Sequence, residues 1–164
     1  MIEIRQLRKN DRLDDLITLS REFFEEYENH HEDFFKIDTL SERDIIDYFS
    51  NWINNENGRV FIALSEGKVV GYITVYIKQQ SRFWKVKKVG DISGLMVHKA
   101  YRRKGIATQL LSKAKSFFWE KGVRYFTVFT AVENLGAIKF YERSGLQPIY
   151  TTMVGDLRNT FEEQ

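Results

Sequence analysis

Apolar positions recur along the chain with two different periods, and the switches between them outline the fold. Ile2, Ile4 and Leu7 give a short first strand. Positions 13, 16, 17, 20, 23, 24 and 27 follow at the spacing of a one-sided helix, with Ser20 the polar member of the stripe. A second helix starts near Ser41, a natural N-cap, carries Ile45, Ile46, Phe49, Trp52 and Ile53, and stops before Asn57-Gly58. VFIAL (60–64) and VVGYITVYI (69–77) are separated by Ser65-Glu66-Gly67-Lys68, which predicts a hairpin. The polar, basic stretch 78–88 reads as a loop or as frayed strand ends, and VGDISGLMV (89–97) as a further strand.

From Gly105 the period lengthens again, with Ile106, Leu110, Leu111, Ala114, Phe117 and Phe118 on one face and Gly122 as the stop. YFTVF (125–129) is apolar on both faces, as expected of a central strand buried between layers. Strand 89–97, helix 105–121 and strand 123–130 therefore predict a right-handed parallel crossover. Residues 135–143 form another helix, ended by Gly145; LQPIYTTMVGDL (146–157) predicts one or two strands, and the tail from about residue 158 is expected to fray. The fold class is α/β (mixed α+β), a twisted mixed sheet of about six to seven strands flanked by about four helices. With no internal repeat or composition break, residues 1–164 read as one domain.

Composition works by exclusion. In 164 residues, 43% are hydrophobic and 29% charged, which sets aside disorder and low complexity. There is no cysteine, so disulfides, thiolate nucleophiles and cysteine metal sites are out, and no metal is expected. No apolar run approaches the roughly 20 residues of a membrane span, and MIEIRQLRKND lacks a signal peptide's apolar core, so the expectation is a soluble cytoplasmic protein with no membrane partner. The net charge of +2 conceals an uneven distribution. Fourteen acids stand against four bases between Asp11 and Glu56, and nine bases against Asp91 alone between Lys78 and Lys104. Two solvated faces would explain this, and so would a basic mouth for a polyanion beside an acidic surface for a cation.

The most informative stretch is VHKAYRRKGIATQLL (97–111), a strand end running through a basic turn into a helix. Gly105 supplies permissive backbone, small Ala107 allows close approach, and the unpaired N–H groups and positive dipole end of the helix face whatever lies there. Such a turn suits phosphate, and Arg102, Arg103 and Lys104 add cationic donors. Neither GxxxxGK[ST] nor GxGxxG occurs, so this is not one of the common nucleotide loops.

Arg102-Arg103-Lys104-Gly105-Ile106-Ala107 resembles the acyl-CoA motif [QR]-x-x-G-x-[GA] of the GCN5-related N-acetyltransferase (GNAT) family. The preceding Ile92 to Val97 matches I-x-x-L-x-V, and Tyr101-Arg102 stands at the family's usual Y-R. NLGAIKFYERSGL (134–146) is similar to the second motif, N-x-x-A-x-x-F-Y-x-x-x-G-[FL]. The resemblance implies a sheet whose strands 89–97 and 123–130 splay apart around the pantetheine arm of acetyl-CoA. It implies that backbone groups of the Leu95-Met96-Val97 segment, chiefly Leu95 and Val97, pair with pantetheine amides, and that N–H groups from Arg103 through Lys104, Gly105, Ile106 and Ala107 to Thr108 hold the pyrophosphate beside Arg102. Asn134 would bond the arm and Tyr141 would face the sulfur and protonate the thiolate. Asn134 is also a good N-cap and Tyr141 a good core residue.

For the base, the family carries an acid on the strand equivalent to 89–97, and Asp91 is the acid available there. A carboxylate paired with Lys87 or Lys88, with a water chain taking the proton, is the competing reading. His98 is expected to point to solvent. Lys99 stands where the family often has proline. The acids and aromatics of the acidic helix pair, including Glu22, Glu25, Glu26, Glu28, Glu32 and Asp33 with Phe23, Phe24, Tyr27, Phe34 and Phe35, suit a small cationic amine or a protein amine as acceptor, and equally an ordinary solvated helix face. The resemblance thus implies acetyl transfer from acetyl-CoA to a primary amine. A non-catalytic acyl-CoA-binding module with the same fold is the alternative, a nucleic-acid partner has no reader motif to support it, and a homodimer is left open.

Overall fold

The computed structural model describes residues 1–162. It forms two compact units, one of Met1–Asn134 and one from Leu135 onward, each taken separately below.

In the first unit five strands make one sheet in the order β1-β2-β3-β4-β5: β1 (Ile2–Gln6), β2 (Gly58–Ser65), β3 (Lys68–Gln79), β4 (Lys88–Val97) and β5 (Phe126–Val128). The first four are antiparallel neighbours, and β5 runs parallel to β4. Three helices cover the sheet: α1 (Asp14–Glu28), α2 (Glu42–Ile53) and α3 (Ile106–Glu120). The expected capping of α2 is present, because Asp44 N–H donates to Ser41 Oγ at 3.1 Å while Ser41 N–H donates to Asp44 Oδ2 at 2.9 Å. That exchange holds the Asp44 carboxyl below its usual pKa.

One sheet face packs against α1 and α2 through Leu16, Leu19, Ile45, Phe49, Ile62, Tyr72 and Met96. The other packs against α3, where a Cβ on Gly71 would meet Leu110 Cδ1 at 3.4 Å and one on Gly90 would strike the Phe118 ring at 2.5 Å. Helices on both faces explain why β3 is buried at every position from Val69 to Val75. The hairpin between β2 and β3 turns at Glu66 and Gly67, whose φ of 50° and 80° are the left-handed pair that a two-residue hairpin needs.

The structure corrects several expectations at the far side of the sheet. β5 is not a buried central strand: it has three half-buried residues, its flanking Tyr125 and Phe129 are exposed, and no strand pairs beyond it among the described residues. Residues 147–157 form no strand, so the sheet has five strands and not six or seven. Aromatic composition alone cannot distinguish a central strand from an edge, because burial depends on a neighbour that local sequence does not specify. The stretch 78–88 is, as expected, a loop between strand ends: β3 runs on to Gln79, β4 begins at Lys88, and 80–87 form the connection.

The second unit carries α4 (Leu135–Arg143) and α5 (Arg158–Phe161). α4 ends as expected at Gly145, with φ of 94° and Leu146 N–H closing back on Tyr141 O at 3.0 Å. The tail expected to fray instead forms the single turn α5, started by Asp156, whose Oδ1 accepts the Arg158 N–H at 3.0 Å. Glu163 and Gln164, the end of that expected tail, lie outside the described residues.

Candidate active site

The open edge of β4 is the first component of the site. Gly90 donates its N–H to Tyr125 O at 2.9 Å, toward β5, whereas His98 donates to Val70 O at 2.8 Å, toward β3. Backbone directions alternate along a strand, so an unbroken β4 would aim every even-numbered residue the same way. The register slips at Ser93: Val75 pairs with Ile92, and Thr74 with Gly94. This one-residue bulge reverses the parity. Beyond it Leu95 and Val97 direct their N–H groups to the β5 side, while β5 pairs with β4 no further than Ile92↔Val128. Leu95 and Val97 therefore present strand backbone to a gap. Gly94 inside a strand was the sequence signal for this bulge. Met96 points to the opposite face and is buried with α1.

The second component is the turn between β4 and α3. His98 does not point idly to solvent: its Nδ1 accepts the Ala100 N–H at 3.1 Å and caps a 3₁₀ turn over Lys99–Tyr101. Arg103 then adopts φ of 60° and Gly105 φ of 77°, two left-handed residues immediately before the helix. A Cβ on Gly105 would meet nothing within 4 Å, so glycine is required there by the backbone and not by space. No side chain caps α3, and its first internal bond runs from Gln109 N–H to Gly105 O at 3.1 Å. The N–H groups of Ile106, Ala107 and Thr108 precede that bond and point out of the helix start. Three basic residues at this positive end are unfavourable for the helix itself and favourable for a bound anion.

The three cations differ in what they can do. Arg102 is engaged within the protein: Nε donates to Val97 O at 2.8 Å, and Nη2 to Glu26 Oε1 at 2.8 Å, with Met96 Sδ at 3.5 Å. It ties the end of β4 to α1. Arg103 forms no ion pair among the described residues, and Lys104 Nζ lies 5.3 Å from the centre of the Tyr101 ring. These two remain exposed toward solvent.

Asp91 lies on the α2 face of β4. Its partner is Lys78 at 3.3 Å, not Lys87 or Lys88, and Thr127 Oγ1 donates to the same Oδ1 at 3.0 Å. Near it is a polar cluster absent from the sequence reading. The hydroxyls of Tyr48 and Ser93 are 2.6 Å apart, Ser93 Oγ donates to Thr74 O at 3.3 Å, and the buried Thr74 hydroxyl has no hydrogen-bond partner. Burial raises the Tyr48 phenol pKa, and the Ser93 bond opposes that rise. Tyr48 and Ser93 are 45 positions apart, a pairing that only the packing of α2 on the sheet creates. On α1, Glu22 Oε2 is buried with no hydrogen-bond partner.

Asn134 closes the first unit, with its N–H on Ala131 O at 3.0 Å, immediately ahead of α4. In the second unit Tyr141 is 7% exposed, its ring centre 5.1 Å from that of Phe140, and its phenol, protonated at neutral pH, has its pKa pushed further up by burial. No helix among the described residues is long and apolar enough to cross a membrane.

Residues 14–146 match the acetyltransferase (GNAT) family, and the chain belongs to that family. It is 30% identical over 144 residues to an uncharacterised N-acetyltransferase of Methanocaldococcus jannaschii, covering 88% of this chain and 60% of that protein. It is 28% identical over 146 residues to an uncharacterised N-acetyltransferase of Archaeoglobus fulgidus, covering 89% and 93%. Among solved structures, the complex of AAC(6')-Iy with the bisubstrate analogue CoA-S-monomethyl-acetylneamine superposes with a TM-score of 0.77 at 18% identity, covering 95% of this chain and 97% of that one.

Proposed function

We propose that the chain transfers the acetyl group of acetyl-CoA to a primary amine by direct attack in a ternary complex. The observation that carries this reading is the bulge-reversed edge at Leu95 and Val97 leading into two left-handed residues and an uncapped helix start. Strand backbone fronting a gap suits the amides of a pantetheine arm, and the N–H groups from Arg103 to Thr108, with the Arg103 and Lys104 cations, suit a pyrophosphate. Arg102 acts as a brace that fixes the turn against Val97 and Glu26. Asn134 bonds the arm.

A lysine-like amine with pKa near 10.4 is protonated at neutral pH, and exposing its lone pair costs roughly 4 to 5 kcal/mol. Asp91, paired with Lys78 at 3.3 Å, receives that proton through water. The Val97 N–H stabilises the oxyanion that forms on the attacked thioester, and Tyr141, a phenol protonated at neutral pH whose pKa burial raises further, supplies the proton to the departing thiolate. The sheltered, unpartnered Glu22 oxygen supports a cationic acceptor lying along α1.

The test is a thiol-release assay with acetyl-CoA over polyamines, aminoglycosides and lysine-containing peptides. At least one amine should release CoA, and Tyr141→Phe should lower turnover at least tenfold with little change in acetyl-CoA affinity. Saturable acetyl-CoA binding without release on any amine would replace the enzyme by a binding module, and unchanged turnover in Tyr141→Phe would remove that residue from the chemistry.

A further inference from the structure

The hairpin tip between β3 and β4 lies outside the proposed transfer chemistry and has an uncommon surface. Phe83 is 76% exposed and Trp84 55%, adjacent in sequence, with ring centres 5.3 Å apart and planes 42° apart. The tip is nevertheless ordered by its own bonds. Trp84 N–H donates to Ser81 O at 3.0 Å, making a tight turn with Arg82 and Phe83 at its apex; Gln80 N–H donates to Lys87 O at 2.8 Å, and Gln80 Nε2 to Val86 O at 2.9 Å. Lys87 Nζ also bonds Arg82 O. Two large apolar rings are thus held out in water by a turn that has no need of them.

The charges around them are of one sign. From Lys68 to Gly90 the sequence contains no acid. Lys78 is neutralised by Asp91, but Arg82, Lys85, Lys87 and Lys88 form no ion pair among the described residues and are exposed. Arg82 shares the apex with Phe83, Lys85 follows Trp84 directly, the Lys87 ammonium folds forward onto the Arg82 carbonyl, and Lys88 opens the returning strand. Exposed aromatic rings flanked by unpaired cations match an anionic bilayer, where the rings enter the acyl boundary and the long cationic side chains reach the negatively charged headgroups.

We propose that this tip is a membrane-docking element, with Phe83 and Trp84 entering the acyl boundary of an anionic phospholipid surface and Arg82, Lys85, Lys87 and Lys88 engaging the headgroups. A single-stranded nucleic acid shares the need for aromatics and cations, but it is held in a charged groove along which bases stack in succession. Here the surface is convex, and the two rings are tilted neighbours at a point and form no platform. The convex shape favours the lipid.

The experiment is co-sedimentation of the full chain with vesicles of phosphatidylcholine alone or equimolar phosphatidylcholine and phosphatidylglycerol. Binding is expected to the mixed vesicles, at least tenfold weaker to the neutral ones, and weakened further as salt rises. The double variant Phe83→Ser/Trp84→Ser and, separately, Lys85→Glu/Lys87→Glu should each lose at least tenfold in affinity with unchanged melting temperature. Brominated acyl chains should quench the wild-type tryptophan emission, and Trp84→Phe should remove the quenched component while still sedimenting. Failure of the wild type to bind the mixed vesicles, equal binding to neutral ones, or wild-type binding by the aromatic double variant would each overturn the proposal. So would tighter binding to oligouridylate that the same variants abolish, which would assign the tip to nucleic acid. Should the aromatic double variant not fold, the charge variant and the quenching of the wild type still decide.

Discussion

The turn before α3 yields the sharpest test, because stability and ligand binding can be separated there by two glycines of the same geometry. Gly105 has φ of 77°, and nothing lies within 4 Å of where its Cβ would stand, so Gly105→Ala introduces no clash. Its cost is purely that of holding alanine in the left-handed region, roughly 1–2 kcal/mol. The substitution also restricts the unfolded chain, which returns roughly 0.4–1 kcal/mol. The net loss is about 1 kcal/mol, or about 2–4 °C in melting temperature for a chain of this length. Gly67, at the β2–β3 hairpin, has φ of 80° and equally empty surroundings, so Gly67→Ala should cost the same. Binding should part the two. If Gly105→Ala relaxes toward right-handed backbone, at least one helix-start N–H turns away from the pyrophosphate, and a charge-assisted bond of roughly 1.5 kcal/mol corresponds to about tenfold weaker acetyl-CoA binding. Gly67→Ala should bind as wild type. Melting curves and calorimetric titration with acetyl-CoA measure both quantities. A Gly105→Ala variant that escapes the stability loss by relaxing its backbone and still binds acetyl-CoA as wild type would refute the placement of the pyrophosphate, and an unchanged melting temperature in both variants would refute the backbone argument itself.

Two further outcomes follow from the carboxylates. Asp91→Asn should lower turnover about tenfold while leaving acetyl-CoA affinity intact; unchanged turnover with only a lowered melting temperature would reduce Asp91 to the partner of Lys78 and Thr127. Asp11 is held below its ordinary pKa chiefly by the Arg5 guanidinium, whose Nη1 and Nη2 reach its two oxygens at 2.7 and 2.9 Å. A depressed folded pKa gives stability that is complete above the unfolded carboxylate range and is lost as pH falls through the folded pKa. Acid unfolding measured between neutral pH and strongly acidic pH should therefore be shallower for Asp11→Asn than for the wild type, and identical acid slopes would contradict this.

The sequence revealed most where a local rule sufficed. Ser41 announced its helix because the capping box is closed by residues three apart, and Gly122 and Gly145 announced helix ends because their φ of 73° and 94° is a property of single residues. The turn at 102–107 was legible for the same reason. What escaped is non-local. Tyr125 and Phe129 read as core although β5 is an edge, since exposure there depends on whether another strand arrives. Tyr48 and Ser93 meet only because α2 packs on the sheet, against β2, with Tyr48 reaching over to β4. The bulge falls between: Gly94 hinted at it, but only the pairing of Thr74 with Gly94 and Val75 with Ile92 shows that it turns Leu95 and Val97 outward.

Charge shows the same division most clearly. Counted along the chain, Lys78 to Lys104 is one basic block. In three dimensions two of its nine cations are spent inside the protein, Lys78 on Asp91 and Arg102 on Glu26 and the Val97 carbonyl. Of the rest, Arg82, Lys85, Lys87 and Lys88 belong to the hairpin tip, and Arg103 and Lys104 to the helix start that follows the opposite end of β4, with Lys99 in the 3₁₀ turn between. A ten-residue strand at roughly 3.3 Å per residue separates the two groups by about 30 Å, some three to four screening lengths at physiological salt. At that distance neither group adds to the field at the other. The block therefore does not act as one local field, and the proposed phosphate site at the helix start and the proposed lipid contact at the tip draw on separate sets of cations.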